Sequence, residues 1–208
     1  MKIGVIVALE TELQALQAAG VNNVVLAGIG KVNAACAATK LILEEHPDCI
    51  INSGVAGGID KSLNVGDFVI GNQFAYHDIW CGEGNLRGQV QGLPQRFNAD
   101  EALLKVARTL KSDNFAIHEG LIATGDQFLT TLEEEAAVKA LYPDALACDM
   151  ESTAIAQVCH RMGVPFLAFR AISDVVTPEK NHQELYDNFW NDLKSNSFGL
   201  VSTLIETL

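Results

Sequence analysis

Two short stretches hold most of the chemistry available to this chain. Cys148-Asp149-Met150-Glu151-Ser152 sets carboxylates where a predicted strand gives way to a helix, and Arg170-Ala171-Ile172-Ser173-Asp174 ends the apolar run from Val164 on a cation and an acid. Apolar residues surround both. Acids at the strand ends of an α/β chain face the crevice where polar ligands bind, here one with hydroxyls and a basic nitrogen. A further acidic pair, Glu10 and Glu12, follows the first predicted strand at the start of a helix. The helix dipole alone gives either of them roughly 0.3–1 kcal/mol. Two residues apart on a helix, they project about 200° from each other, so at most one can face the crevice.

Glycine turns supply the second set of candidates. Gly28-Ile29-Gly30-Lys31 follows a strand and opens a helix, and Gly54-Val55-Ala56-Gly57-Gly58 follows Ile50-Ile51-Asn52-Ser53. Such turns permit tight geometry and let backbone approach a ligand. Neither is the six-residue dinucleotide fingerprint or a Walker loop, so neither NAD nor ATP is implied. Thr124-Gly125-Asp126-Gln127-Phe128-Leu129 closes another strand with an aromatic that can stack on a planar base or pack in the core. The histidines are dispersed without ligand spacing, so no metal site is expected. His77 reads as a structural loop histidine.

The elements that must position these residues alternate along the chain. Strands are predicted at Lys2–Ala8, Asn23–Ala27, Cys49–Ser53, Asp67–Gly71, Ile117–Ala123 and Val164–Ile172. Helices are predicted at Glu10–Ala18, Val32–Glu45, Asp100–Leu110, Leu132–Leu141, Ser152–Met162 and Gln183–Thr207. Gly163 followed by Pro165 is a helix stop and strand start. The order implies a single α/β domain over residues 1–208, with a central mixed β-sheet flanked by helices on both faces. Asp78–Arg96, rich in glycine and polar residues, reads as a long loop positioned to cover a pocket.

Composition narrows the partners. A length of 208 residues suits one domain with a sizeable core. A net charge of −12 lacks the basic footprint that nucleic acid or an anionic membrane requires. No apolar run approaches the roughly 18 residues of a membrane span. Five cysteines without a Cys-x-x-Cys pair argue against a disulfide framework. The chain reads as cytoplasmic, with a small molecule as its partner.

Taken in order, Ala8-Leu9-Glu10-Thr11-Glu12, Gly28-Ile29-Gly30-Lys31-Val32, Asn52-Ser53-Gly54-Val55-Ala56-Gly57-Gly58, Tyr76-His77-Asp78, Thr124-Gly125-Asp126-Gln127-Phe128, Asp149-Met150-Glu151-Ser152-Thr153-Ala154 and Arg170-Ala171-Ile172-Ser173-Asp174 resemble the bacterial 5′-methylthioadenosine/S-adenosylhomocysteine nucleosidases. These belong to the nucleoside phosphorylase superfamily. The resemblance runs nearly end to end; the Met-Glu and Arg-Ala-Ile-Ser-Asp motifs are its specific part, the glycine turns mark only the superfamily. It implies a nucleoside phosphorylase-like fold and a purine nucleosidase that hydrolyses the N-glycosidic bond without a cofactor.

By the same resemblance, Asp174 protonates purine N7, Glu12 activates water at the anomeric carbon, and Arg170 helps hold Glu12 and the water. Glu151, beside Met150, holds the ribose hydroxyls. Phe128 stacks on the base, the backbone of Leu129 reads its edge, and Val55, Ala56, Gly57 and Ser173 line the substrate. Tyr186 corresponds to an aromatic beside the ribose. Phe97 corresponds to an aromatic reaching into a partner subunit's pocket, which implies a homodimer.

The chemistry asks for such residues: adenine leaves poorly until N7 is protonated, and bond breaking leaves an oxocarbenium-like sugar. Phosphorolysis is the rival, since superfamily phosphorylases place an arginine and a hydroxyl residue where this chain has Asn52 and Val55. Three departures from the nucleosidase pattern stand out: Val55 replaces a serine, the segment between the Glu12 helix and Gly28 is short by about a hairpin, and Ile79-Trp80-Cys81 follow Asp78. The alternatives they motivate are a futalosine-type nucleosidase with another 5′-substituent and a catalytically weak nucleoside-binding protein.

Overall fold

A computed structural model describes residues 1–175, 185–186, 188–190 and 198–208. Among the described residues eight strands form one mixed sheet: β1 (Ile3–Val7), β2 (Val24–Leu26), β3 (Cys49–Gly58), β4 (Phe68–Tyr76), β5 (Phe97–Asn98), β6 (Ile117–Thr124), β7 (Ala145–Asp149) and β8 (Phe166–Val175). The helices are α1 (Glu10–Ala18), α2 (Lys31–Glu45), α3 (Glu101–Ala107), α4 (Leu132–Leu141), α5 (Ser152–Met162) and α6 (Gly199–Thr207). The expected mixed α/β architecture is present. Part of the predicted helix Gln183–Thr207 lies outside the described residues.

The sheet closes on itself. Its order is β2-β1-β3-β7-β6-β4-β5, and β8 pairs with both β3 and β4. Strands β3, β7, β6, β4 and β8 therefore form a ring of neighbours. β3–β8 is parallel over nine paired positions, and β4–β8 and β3–β7 are antiparallel. Both β3 and β8 are buried along nearly their whole length, which is why their first halves, residues 49–51 and 166–169, read as apolar runs. Phe169 stacks on Phe68 at 5.0 Å between ring centroids, and Phe166 meets Phe74 at 4.9 Å.

Three expectations need correction. The segment Gly54–Gly58 is not a turn after a strand but the second half of β3, because β8 on one side and β7 on the other give it ladder partners. Strand β4 does not stop at Gly71. It continues to Tyr76 through a register shift against β6 between Gly71 and Gln73, a bulge that absorbs the polar break. The loop 78–96 does not cover the cavity described below. It folds back on its own side, where Gly88 sits so close to the Tyr142 hydroxyl and the Tyr76 carbonyl that no Cβ would fit, and Arg96 makes a bidentate pair with Asp144. Among the described residues no helix is long and apolar enough to cross a membrane.

Candidate active site

A cavity of about 460 Å3 opens where β3, β7, β8 and the start of α1 meet. Each acid on its wall is placed by a different local device. Glu12 is the third residue of α1 and reaches back to accept from the N–H of Ala8 (2.8 Å) and of Leu9 (2.9 Å), satisfying donors that a helix start leaves unpaired. Its other oxygen accepts from the N–H of Val55 at 2.9 Å. Glu12 is 1% exposed, while Glu10 lies in solvent, as their 200° separation requires. Gly54 makes the approach of α1 to β3 feasible. Its φ is +126°, and a Cβ there would lie 2.2 Å from Glu12 Oε1 and 2.7 Å from Arg170 Nη1.

Asp174 owes its place to a bulge. The β3–β8 register pairs Ala56 with Ile172 but Gly57 with Asp174, leaving Ser173 as the extra residue. That shift sets the Asp174 carboxylate against Gly57, where a Cβ would come within 3.3 Å of it. The Ser173 hydroxyl donates to Asp174 Oδ1 at 2.7 Å. Glu151 stands at the head of α5; one oxygen accepts from the N–H of Gly30 (2.9 Å), the other from Arg170 Nη2 (3.0 Å).

One cation organises these acids from behind. Arg170 is fully buried, and its Nε and Nη2 donate to Asp149 Oδ2 (3.0 and 2.8 Å), with Nη1 on the Ser53 carbonyl (2.9 Å). Asp149 also accepts from the Thr124 and Ser152 hydroxyls and from the N–H of Glu151 and Ser152, which saturates it. The donors of Arg170 face protein groups and it does not line the cavity, so it meets this space only through the carboxylates it holds.

Burial raises Glu12 above the ordinary carboxylate value, opposed first by the Arg170 charge and then by its three amide donors. Glu151 is pushed up to about 7, mainly by burial; Arg170 opposes the shift, while the negative charges of Asp149 and Glu12 add to it. An ionised carboxylate offers about four lone-pair positions. Among the described residues three are taken on Glu12, leaving one acceptor position toward the cavity, and two on Glu151, leaving two.

The remaining wall fits a flat ligand. Phe128, 40% exposed, and Tyr186 meet edge to face at 5.8 Å, beside Leu129 and Met150. Val55, Ala56, Gly57 and Ser173 complete the floor. Val55 contributes an apolar side chain, while its main chain holds Glu12, a task that needs no hydroxyl. Lys31 ties the Gly28–Lys31 turn to the Phe128 loop: its ammonium meets Asp78 at 2.5 Å, its N–H donates to Asp126, and Asp126 N–H donates to Asp78. His77 packs under Gly125, outside the cavity.

Phe97 is 3% exposed within its own chain, with its ring edge against His160, and does not line this cavity. Conversely, Ala8, Leu9, Ile29, Ile59, Gln127, Glu135, Cys148 and Asp149 line the cavity without having been singled out as ligand contacts. Cys148 and Asp149 lay inside a recognised motif. Glu135 had no signal, since nothing in the run Glu133-Glu134-Glu135 distinguishes the inward residue.

Comparison with known proteins completes the site. The family model described as the phosphorylase superfamily matches residues 15–206. A 5′-methylthioadenosine/S-adenosylhomocysteine nucleosidase of Anoxybacillus flavithermus is 42% identical over 193 residues, covering 91% of this chain and 82% of that protein. Among solved structures, the nucleosidase of the same name from Neisseria meningitidis, in complex with methylthio-immucillin-A, superposes with a TM-score of 0.89 at 36% identity over the whole of both chains. The futalosine hydrolase of Helicobacter pylori superposes with a TM-score of 0.90 at 25% identity, over 100% of this chain and 98% of that one.

Proposed function

This chain belongs to the 5′-methylthioadenosine/S-adenosylhomocysteine nucleosidase family of the phosphorylase superfamily and is an N-glycosyl hydrolase, and we propose that it cleaves 5′-methylthioadenosine and S-adenosylhomocysteine to adenine and the 5′-thio-substituted ribose. In this reading Asp174 gives its proton to purine N7 as the electron pair of the C1′–N9 bond moves into the base. Water accepted by the last open position on Glu12 attacks C1′ and passes its proton to Glu12. Each positioned acid or base contributes roughly 10²–10⁴ in rate. The two open positions on Glu151 match the two ribose hydroxyls, and Phe128 and Tyr186 flank the base and sugar. Val55, lining the floor, gives the water no hydroxyl, so Glu12 alone orients it.

The observation that carries the reading is the convergence of Glu12, Glu151 and Asp174 on one cavity whose described lining contains no Lys, Arg or His. A dianionic phosphate would meet five acids there and no cation to pair with. Asn52, at the position an arginine would need, donates its amide to Ser152 and does not line the cavity. Water is therefore the nucleophile. The single-domain organisation and a homodimer belong to the same proposal, and the exposed Ile29 and Phe128 at the cavity are apolar surface for the dimer contact.

The test is a panel of 5′-modified adenosines together with futalosine, assayed with and without phosphate. Adenine release from the methylthio substrate at a rate independent of phosphate supports the proposal. Strict phosphate dependence, faster release of hypoxanthine from futalosine, or tight adenine binding with no turnover overturns it.

A further inference from the structure

Three residues outside the cavity join its two ends. Lys31, Asp78 and Asp126 do not line the space, but Lys31 follows Ile29 by two residues and Asp126 precedes Phe128 by two, and both Ile29 and Phe128 lie on the wall. The turn comes first. Gly30 has φ +96°, which glycine adopts without strain, and this aims its N–H at Glu151 Oε1 (2.9 Å). Lys31 then begins α2 and reaches away from the sugar side with both of its donors. Its N–H donates to Asp126 Oδ1 at 2.8 Å; its ammonium meets Asp78 Oδ2 at 2.5 Å and stands 3.7 Å from Asp126 Oδ2. The Asp126 N–H closes the circuit on Asp78 Oδ2 at 2.9 Å. The two segments run so close that a Cβ on Gly30 would lie 3.1 Å from Asp126 Oδ1.

This clip has a fixed seat. Asp78 follows β4, whose last residue, Tyr76, is buried and holds its ring 5.5 Å from the Lys31 ammonium. Burial works against the Asp78 charge, but the Lys31 ammonium and the Asp126 N–H outweigh it and keep the carboxyl below its ordinary value. The side chains of Lys31 and Asp78 are only 20% and 25% exposed, so solvent and salt screen the pair less than an open surface contact. An exposed ion pair joins two mobile side chains and contributes little. Here the same charges also fix two backbone N–H groups, one on each segment.

Resting on the nucleosidase reading, we propose that Lys31 is a positioning residue that sets the separation between the sugar end and the base end of the site. Glu151, which takes the ribose hydroxyls, is oriented by the Gly30 N–H. Phe128 and Leu129, which take the base, follow Asp126 on one short loop. Lys31 touches neither sugar nor base and binds the two segments to each other through Asp78 and Asp126. A nucleoside spans both ends and feels their separation, while free adenine touches only the base end. Asp174 and Glu12, which move the protons, stand on β8 and α1 and are held by Ser173 and Val55. Loss of the clip therefore weakens substrate and transition state alike, and shows in KM rather than in kcat.

The experiment compares the wild type with Lys31→Met, Asp78→Asn and the double variant, by steady-state kinetics on 5′-methylthioadenosine and calorimetric binding of adenine. Lys31→Met keeps an unbranched stem and removes the charge; it raises KM roughly tenfold, and changes kcat and adenine affinity by less than about threefold. Because the two side chains act as one unit, the double variant is no worse than the poorer single one. An unchanged KM, an equal loss for nucleoside and adenine, or losses that add in the double variant overturn the proposal. So does a lower Tm with unchanged kinetics, which makes Lys31 an ordinary stabilising ion pair. If Lys31→Met does not fold, Asp78→Asn, which keeps its shape, must give the same split. Hydrogen exchange of the ligand-free protein reads the coupling without turnover: Lys31→Met must speed exchange at the Gly30 amide and at the amides of residues 126–129 together. Faster exchange in one segment alone overturns it. A wild type that cleaves no nucleoside contradicts the nucleosidase reading, and the exchange result then decides by itself whether Lys31 couples the two segments.

Discussion

Replacing Arg170 with methionine tests the electrostatic logic of the whole site, because this guanidinium touches two buried carboxylates and stands beside a third. Its bonds to Asp149 (2.8 and 3.0 Å) and Glu151 (3.0 Å) lie in a region closed to solvent, and its charge is the strongest influence opposing the upward shift of both Glu12 and Glu151. Removing one partner of a buried ion pair costs about 3–5 kcal/mol, since the other charge is left uncompensated. In a chain of this size 1 kcal/mol moves Tm by about 2–4 °C, so Arg170→Met is expected to melt about 6–20 °C below the wild type.

The loss must also depend on pH with a definite sign. A carboxyl whose folded pKa lies above its ordinary value, 4.5 for Glu151, costs stability as pH rises from that value through the folded one. Without Arg170 both Glu12 and Glu151 move higher, each added unit being worth about 1.4 kcal/mol at high pH. The Tm gap between wild type and variant should therefore widen as pH rises from 5 to 8.5, through the window above about 7 where wild-type Glu151 is ionised. Thermal melts followed by circular dichroism across that range decide it. A gap below about 2 °C, or one that is the same at every pH, refutes the role given to Arg170.

Other perturbations separate the acids. Asp174→Asn should lower kcat by about 10²–10⁴ while retaining adenine binding, and near-wild-type turnover would remove it as the proton donor. Glu12→Gln should lose as much in kcat, and should also cost about 1–3 kcal/mol because one amide NH2 must face a backbone donor of Ala8, Leu9 or Val55; an unchanged Tm and rate would contradict both. Gly54→Ala places a methyl on the Glu12 and Arg170 side chains at positive φ, and should destabilise by roughly 2–4 kcal/mol in a denaturant titration. The kcat/KM profile should fall as pH drops below about 7, where Glu151 takes up a proton and can no longer accept from both ribose hydroxyls, and a flat profile between pH 5 and 8 would exclude this.

Local rules carried the sequence reading a long way, and failed where tertiary partners decide. Helices α1, α4 and α5 begin and end where capping and periodicity place them, and Gly163 closes α5 in the left-handed conformation that the Gly-x-Pro stop implies. The second half of β3 was hidden because glycines signal a turn unless flanking strands are known to hydrogen-bond them. Strand β7, Ala-Leu-Ala-Cys-Asp, has little β-branched character and becomes a strand only because β3 and β6 lie on either side. For the site, motif correspondence found Glu12, Glu151, Asp174, Phe128 and Tyr186, all on the cavity. It does not distinguish a residue that lines the cavity from one that stands behind it: Arg170 and Phe97 carry the motif but do not line the cavity. Glu135 was illegible for a simpler reason: its inward direction depends on the phase of α4 against Cys148, a tertiary relation.

Four acids that look alike in the sequence differ in what the fold leaves open on each. Asp149 accepts from two hydroxyls, two amides and a guanidinium, so it can only fix Arg170 and the start of α5. Glu12 has one acceptor position left, enough for a single water and too few for a pair of hydroxyls. Glu151 has two, and holds them at the level of the Gly30 turn, where a sugar edge can reach both. Asp174 sits on a bulge beside the Ser173 hydroxyl, facing Gly57, the one floor residue with no side chain to stand between the acid and a flat ring. Exchanging Glu12 with aspartate would shorten its reach to Val55 by one methylene and free a second acceptor position, so the division of labour rests on donor counts set by α1, β3 and β8 rather than on the acids themselves. That is why the interior place of β3 matters to the chemistry: with β8 along one edge and β7 along the other, Gly57 stands between Asp174 and Cys148.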